Sequence, residues 1–231
     1  MDELVLSLLA GTNPLTAKSF LLSWSERRTS SWIDAARDAN ARAASGGHLP
    51  QIRGQLRYHL GERALGDAAA DAGLGCLPLP TRPKGGTFMV ARVGRFALIN
   101  LKLRKSLAIP RRSTTRSLLS QPNQKIDPQT ALFDDARFPS GPTQLAYLGC
   151  LVAIDCKADP TVPAELALGV LSANMDRWMS WIPLPRACAM LQDISSDAET
   201  PIVAEEAKIP DNAFPKLRLP GPGPDPAGRG K

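Results

Sequence analysis

Apolar side chains recur at helical spacing near the start of the chain. The dipeptide Asn13–Pro14 is typical of a helix start, because an asparagine side chain caps free N–H groups and proline fits the first helical position. Phe20 and Trp24 follow one helical turn apart. This pattern predicts a helix over about residues 14–28.

Two further helices are predicted before the pattern changes. Ser31, followed three residues later by Asp34, resembles a capping box. It predicts that a second helix begins here and ends at Gly46. Pro50 begins a third apolar stripe, which Gly73 ends.

From Thr87 onward the apolar runs become short, as in strands. They predict two strand pairs, one around a turn at Gly94 and the other around the segment ADPTVP. A polar stretch with five prolines, over about 110–143, joins the two pairs. It is long for a loop in a compact domain, which indicates a functional or disordered segment.

Helices that precede strands without alternating with them are typical of an α+β fold, here with a mostly antiparallel sheet. The predicted division is a helical region over 1–73, a β-rich basic domain over 74–204 and a disordered tail over 205–231. The tail is predicted from its proline and glycine content, because such a segment cannot bury enough apolar surface to fold by itself.

The composition predicts a soluble chain. With 43% apolar residues in 231, the protein can bury a sizeable core. No run approaches the roughly 18 apolar residues of a membrane span. Asp2 and Glu3 stand where a secretory signal would carry positive charge, so we expect a cytoplasmic protein with no membrane partner.

The cysteines do not have the spacing of a zinc site. They are Cys76, Cys150, Cys156 and Cys188, and only two histidines are available as further ligands. We therefore expect reduced cysteines that pack as small apolar side chains, with no metal and no cofactor.

Positive charge is concentrated in the middle of the chain. The formal net charge is +6, yet residues 61–120 carry +8 whereas residues 121–200 carry −5. No aspartate or glutamate lies between Asp71 and Asp127. Cations without acidic neighbours project their field outward, which favours a polyanionic partner.

The second predicted strand combines this charge with an apolar back. Asn100, Lys102 and Arg104 are predicted to face one side of it. Leu101 and Leu103 face the other, so the pattern predicts a cationic sheet face open to water. We predict a non-catalytic nucleic-acid-associated protein that contacts phosphates. The predicted contacts are Arg95, Lys102, Arg104, Lys105, Arg111, Arg112 and Arg116.

Two other interpretations of these charges stay open. Lysine and arginine also serve solubility and protect strand edges from pairing. They also bind acidic protein surfaces and anionic lipid. The pattern does not distinguish DNA from RNA.

The end of the strand LVAIDCK offers a catalytic alternative. Asp155 and Lys157 form a D-x-K sequence, with Asp134 and Asp135 about twenty residues upstream. This pattern resembles the PD-(D/E)xK nucleases. The resemblance implies that two carboxylates hold a divalent metal ion and that the lysine stabilises the attacking water or the phosphate. No P-loop, dinucleotide-binding or nucleophile-elbow sequence is present, which disfavours nucleotide hydrolysis and serine esterase chemistry.

The third predicted helix contains a second ribonuclease-like spacing. Arg53 and His59 in RGQLRYH resemble the R-x(4–6)-H motif of HEPN ribonucleases, where arginine and histidine act on a scissile phosphate. Those domains are all-helical, whereas much of this chain is predicted as strand. The alternative places Arg53 and Arg57 on a solvated helix face and His59 near the core.

Two short segments are candidate partner contacts. QTALF, which begins at Gln129, resembles the peptide by which bacterial DNA-metabolism proteins dock on the replication sliding clamp. The resemblance implies that Gln129 binds the rim of a pocket that Leu132 and Phe133 fill. Alternatively, these two side chains attach the loop to the protein's own core. Trp178 and Trp181 form either an exposed aromatic surface or the edge of a core.

Overall fold

The computed structural model describes residues 1–11, 13–42, 48–81, 86–129 and 146–197. The helices are α1 (Asp2–Ala10), α2 (Pro14–Arg42), α3 (Leu49–Asp71), α4 (Thr114–Ser120), a 3-10 helix (Gln121–Ile126) and α5 (Leu184–Asp197). The strands are β1 (Cys76–Pro80), β2 (Thr87–Val93), β3 (Phe96–Leu103), β4 (Tyr147–Asp155), β5 (Pro163–Leu171) and β6 (Trp178–Pro183).

The six strands form one sheet in chain order, from β1 at one edge to β6 at the other. Neighbouring strands are antiparallel except β3 and β4, which run parallel. A parallel pair requires a crossover connection, and α4 lies in it. The predicted α+β fold, with helices first and a mostly antiparallel sheet after them, is confirmed.

Four helices, α1, α2, α3 and α5, pack on one face of the sheet. Phe20, Trp24 and Leu65 come from these helices and are fully buried. They share an apolar cluster with Phe96 of β3 and Leu151 of β4. Removing these large side chains from water is the main favourable contribution to this layer.

The opposite face has its own apolar cluster, which includes Ile99 and Cys150. Asn123 of the 3-10 helix is fully buried beside it. Its amide donates to Leu148 O at 3.0 Å and to Leu171 O at 2.8 Å, and it accepts from Leu148 N–H at 2.7 Å. These bonds satisfy buried backbone groups, so they attach the 3-10 helix to β4 and β5.

The helix boundaries differ from the prediction at Ser31. The helix α2 continues through this position, where the buried Ser31 hydroxyl donates to Arg28 O at 2.7 Å. The predicted capping box is therefore wrong. The prediction for α3 is confirmed, since the helix begins at Leu49 with Pro50 in its first turn and Gly73 follows it with φ +67.

The long loop prediction is wrong for its first part. Residues 114–126 form α4 and the 3-10 helix. Ser113 caps α4, because its side chain accepts from Arg116 N–H at 3.3 Å. The rest of the predicted loop, after residue 129 and up to 143, lies outside the described residues.

Among the described helices, none has both the length and the apolar character to cross a membrane. The four cysteines are free thiols. The predicted three-part division of the chain stays a prediction, and residues 198–231, which include the predicted tail, lie outside the described ranges.

Candidate functional site

The predicted phosphate contacts lie in separate places. Arg95 is exposed in the turn between β2 and β3, where its N–H donates to Leu8 O at 2.9 Å. Lys102 lies near the other end of β3, a strand of 8 residues that spans about 25 Å. The remaining positions follow β3, from Arg104 to Arg116.

The polar face of β3 is covered by helices. Asn100 Nδ2 donates to Gly61 O at 2.7 Å, and Trp24 Nε1 donates to Asn100 Oδ1 at 2.9 Å. Lys102 Nζ lies 3.1 Å from Asp155 Oδ2. The predicted alternation of β3 is confirmed, but the predicted water-facing sheet is wrong at Asn100, where α2 and α3 pack against that face; Lys102 stays exposed.

The segment after β3 keeps its cations exposed. We call residues 104–112 the cationic segment; its charged side chains are Arg104, Lys105, Arg111 and Arg112. None of the four forms an ion pair with a carboxylate of the described residues. Ser172 lowers the pKa of Asp176 through a hydrogen bond, and the charge of Arg112 adds a small contribution.

Exposed apolar side chains accompany these cations. Leu107 is 57% exposed and Ile109 is 44% exposed. Leu107 also has φ +59, a backbone conformation that a bulky residue adopts only where its surroundings hold it. Trp178 Nε1 donates to Ala108 O at 3.2 Å, which attaches the middle of the cationic segment to β6.

Arg116 differs from the cationic segment because it is half-buried. Its Nε donates to Ser113 Oγ at 3.2 Å, within the first turn of α4. Burial lowers the pKa of this guanidinium. Arg116 therefore contributes to the local structure of α4.

The tryptophan pair packs against the second apolar cluster. The rings of Trp178 and Trp181 meet edge to face, with centroids 4.9 Å apart. Trp181 Nε1 also donates to Glu165 Oε1 at 3.0 Å. The pair therefore lies at the edge of a core, and its contact with a partner stays a prediction.

A group of charges is buried where α2 and α3 meet β3 and β4. Trp32 is fully buried, and Arg28 and Arg57 are 3% and 6% exposed. The guanidinium carbons of Arg28 and Arg57 lie 5.1 and 4.3 Å from the centroid of the Trp32 ring. Lys102 Nζ lies 6.0 Å from it. We call these four residues, together with Asp155, the Trp32 cluster; its cations face an aromatic ring that attracts positive charge.

Asp155 compensates two cations of this cluster. Arg57 Nη1 lies 2.8 Å from Asp155 Oδ1, and Lys102 contacts the other carboxylate oxygen. Arg57 Nη2 donates to Pro160 O in the turn after β4. The bonds of Arg57 therefore connect α3 to the end of β4.

Asp155, which forms these ion pairs, is also one of the predicted nuclease residues. Both oxygens of Asp155 contact cations, whereas Lys157 is exposed in the turn after β4. Among the described residues, no group of histidine, cysteine, aspartate or glutamate side chains is arranged to hold a metal ion. Asp134 and Asp135 lie outside the described residues, so the nuclease alternative stays a prediction.

Arg28 is the cation of the Trp32 cluster that has no ion pair with a carboxylate of the described residues. Its Nη1 donates to Arg57 O at 3.0 Å, but no carboxylate of the described residues lies within 4.0 Å of it. Its Nε has no hydrogen-bond partner in the described part of the chain. Burial lowers the pKa of Arg28 to about 10, so the group still carries its proton at neutral pH. A Cβ at Gly61 would lie 1.4 Å from Arg28 Nη1, which explains the glycine there.

Glu62 lies beside this cluster on α3. Its Oε2 accepts from Met89 N–H of β2 at 2.5 Å. Burial raises the pKa of the Glu62 carboxyl, although hydrogen bonds from Met89 and Asn100 and the charge of Arg28 act against that rise.

Replacing Glu62 by glutamine should stabilise the protein near pH 7, with a benefit that shrinks toward pH 4. The folded-state pKa of Glu62 lies above its ordinary value of 4.5. The neutral carboxyl therefore contributes stability fully below the unfolded pKa, and this contribution is lost as the pH rises through the folded pKa. Denaturant unfolding of wild type and Glu62→Gln between pH 4 and 8 measures this difference.

The control for that experiment is Glu26→Gln, at an exposed position of α2. Its stability should follow that of wild type at every pH. Parallel stability curves for Glu62→Gln and wild type would contradict the prediction.

The alternative to the HEPN-like interpretation placed Arg57 on a solvated face of α3 and His59 near the core, and the structure shows the opposite. Arg57 is buried and His59 is exposed, although the sequence placed Arg57 on the solvated face.

The burial of Arg28 could have been predicted from the sequence of α2. Trp24, Arg28 and Trp32 are four residues apart and therefore share one helix face, so a buried arginine between two tryptophans could have been predicted.

Only the first residue of the clamp-like peptide is described. Gln129 N–H donates to Asp127 Oδ1 at 3.0 Å in the turn after the 3-10 helix. Leu132 and Phe133 lie outside the described residues, so docking on a sliding clamp stays a prediction.

No protein-family model matches this chain, and no curated protein or solved structure is significantly similar to it. Its function is therefore argued from the chemistry of its own side chains.

Proposed function

We propose that this protein is a non-catalytic nucleic-acid-associated protein that contacts phosphates through the cationic segment. The observation that carries the proposal is the exposure of Arg104, Lys105, Arg111 and Arg112 without an ion pair in the described residues. Guanidinium and ammonium groups in this state are available to phosphate oxygens.

The local structure also supports a binding role for this segment. Leu107 has a costly backbone conformation and an exposed side chain, while Ala108 is held by Trp178. A fixed segment loses less conformational entropy on binding than a flexible one. The exposed apolar side chains would lie beside the phosphate contacts, where sugars and bases provide apolar surface.

The double variant Arg104→Glu with Lys105→Glu should weaken binding to a random-sequence oligonucleotide about tenfold or more at low salt. Each lost phosphate contact lowers the slope of log affinity against log salt by about 1, so we expect this slope to fall by about 2. Fluorescence anisotropy titrations across salt concentrations, on duplex and single strands, measure both quantities.

The control carries the same change of net charge at a different surface. Arg42 ends α2 and Arg63 lies on α3, and both side chains are solvent-accessible. Arg42→Glu with Arg63→Glu should keep most of the affinity. Equal losses in the two double variants would show that only net charge matters and would overturn the proposed surface. Binding to anionic lipid vesicles, with no binding to any oligonucleotide, would also overturn it, because the segment combines cations with exposed Leu107 and Ile109.

A further inference from the structure

We infer that the cavity between α2, α3 and β3 binds a phosphate-sized oxyanion through Arg28, Arg57 and Lys102. This site lies beneath the helices, apart from the exposed side chains of the cationic segment. The inference therefore goes beyond the proposed function and does not depend on it.

The cavity is small and polar. Its volume is about 110 Å³, and its lining consists of Arg28, Gly54, Arg57, Tyr58, Glu62, Asn100 and Lys102. This volume is several times the roughly 10–15 Å³ that a cavity needs to hold one water molecule, but below the roughly 300 Å³ at which pockets for drug-sized ligands begin. A small oxyanion therefore fits the space better than a nucleobase does. Tyr58 and Lys102 are the exposed lining residues, so a ligand would enter beside them.

The charges around the cavity favour an anion. Its lining contains three cations and one carboxylate, Glu62, while Asp155, the carboxylate of the Trp32 cluster, is already bonded to Arg57 and Lys102. The cavity therefore has an excess of positive charge in a region that is largely shielded from water.

Several hydrogen-bond donors remain available to such a ligand. The Nε atoms of Arg28 and Arg57 are closed off from solvent, so a ligand in the cavity would be bound through the outer guanidinium nitrogens of these arginines and through Lys102. Lys102 has three N–H donors, one of which is directed at Asp155. A tetrahedral oxyanion provides acceptors for all three side chains at once.

Arg28 gives the strongest support. An arginine that is 3% exposed normally has a carboxylate partner, because an uncompensated buried charge is costly. Arg28 contacts the Trp32 ring and the carbonyl of Arg57 instead, and the charge of Glu62 acts on it only from a longer distance than an ion pair. If the cluster served only to connect helices and sheet, Arg57 with Asp155 would suffice, and Arg28 would remain unexplained.

Isothermal titration with inorganic phosphate at constant ionic strength tests the site on the full chain. Gly54 is a suitable position for a variant, because a Cβ there meets no atom of the described residues within 4 Å. Gly54→Glu adds a carboxylate to the cavity lining and should weaken phosphate binding about tenfold or more. Gly54→Gln adds the same bulk without the charge and should bind much more tightly than Gly54→Glu.

A second variant keeps the inference testable if Gly54→Glu fails to fold. Arg28→Met replaces a buried charge by an apolar side chain, a change that folded proteins often tolerate. It should unfold at the wild-type temperature or above and lose saturable phosphate binding. Wild-type protein without saturable phosphate binding, or folded Gly54→Glu and Arg28→Met variants that bind phosphate as wild type does, would overturn the inference.

Two further measurements separate this site from the cationic segment and identify the source of the phosphate. Arg104→Glu with Lys105→Glu should still bind inorganic phosphate, whatever its affinity for nucleic acid. A tighter complex with a 5′-phosphorylated than with a 5′-hydroxyl oligonucleotide, lost in Gly54→Glu, would assign a terminal phosphate. Equal affinity for the two oligonucleotides, together with saturable phosphate binding, would assign a free anion.

Discussion

Gly94→Ala is expected to destabilise the protein by about 4 kcal/mol or more. A Cβ at Gly94 would lie 2.4 Å from both Leu8 O and Leu9 O, so backbone atoms would have to move. The residue also has φ +53, a left-handed conformation that costs a residue with a Cβ about 1–2 kcal/mol and glycine almost nothing. The cost extends beyond the turn, because Arg95 N–H donates to Leu8 O and this bond places α1 against the turn between β2 and β3.

Denaturant unfolding of Gly94→Ala and Gly75→Ala tests this expectation. Gly75 precedes β1, and a Cβ there would meet no atom within 4 Å in the described part of the chain. Gly75→Ala should change the free energy of unfolding by no more than about 0.5 kcal/mol. A Gly94→Ala protein as stable as Gly75→Ala would mean that α1 does not pack against the turn as described.

The prediction was most successful where local chemistry determines the structure. The helix α3 begins beside Pro50 and is followed by Gly73, and the turn at Gly94 requires a left-handed conformation. The edge strand β1 was missed because Pro78 and Pro80 lack N–H groups and normally argue against a strand. Both are tolerated here, since β1 pairs on one side only, with β2.

The candidate sites depended on tertiary contacts that no local pattern contains. Asn100 and Lys102 alternate with leucines, a pattern typical of a strand with one face in water. In the structure α2 and α3 pack against this face: Trp24 and the Gly61 carbonyl provide partners for Asn100, while Lys102 stays exposed and pairs with Asp155. The cationic segment could be predicted from sequence because nothing in the described residues covers it. The Trp32 cluster could not, since it combines residues from α2, α3, β3 and β4.

Asp155→Ala should lower the free energy of unfolding by about 3 kcal/mol. The change leaves Arg57 buried without its carboxylate and removes the ion pair of Lys102. Removing one partner of a buried pair costs about 3–5 kcal/mol, and the lower end applies because the Asp155 side chain is 23% exposed. Urea unfolding of the full chain at pH 7 measures the difference.

Lys157→Ala is the matched control, two residues along the same D-x-K sequence. Lys157 is exposed and should change stability by no more than about 0.5 kcal/mol. The pair of variants also separates the structural role of Asp155 from the nuclease alternative. A metal-dependent nuclease would lose magnesium-dependent cleavage in both variants while each kept the wild-type stability. Our expectation is the opposite pattern, with a large loss of stability in Asp155→Ala alone, because its carboxylate compensates the buried charge of Arg57.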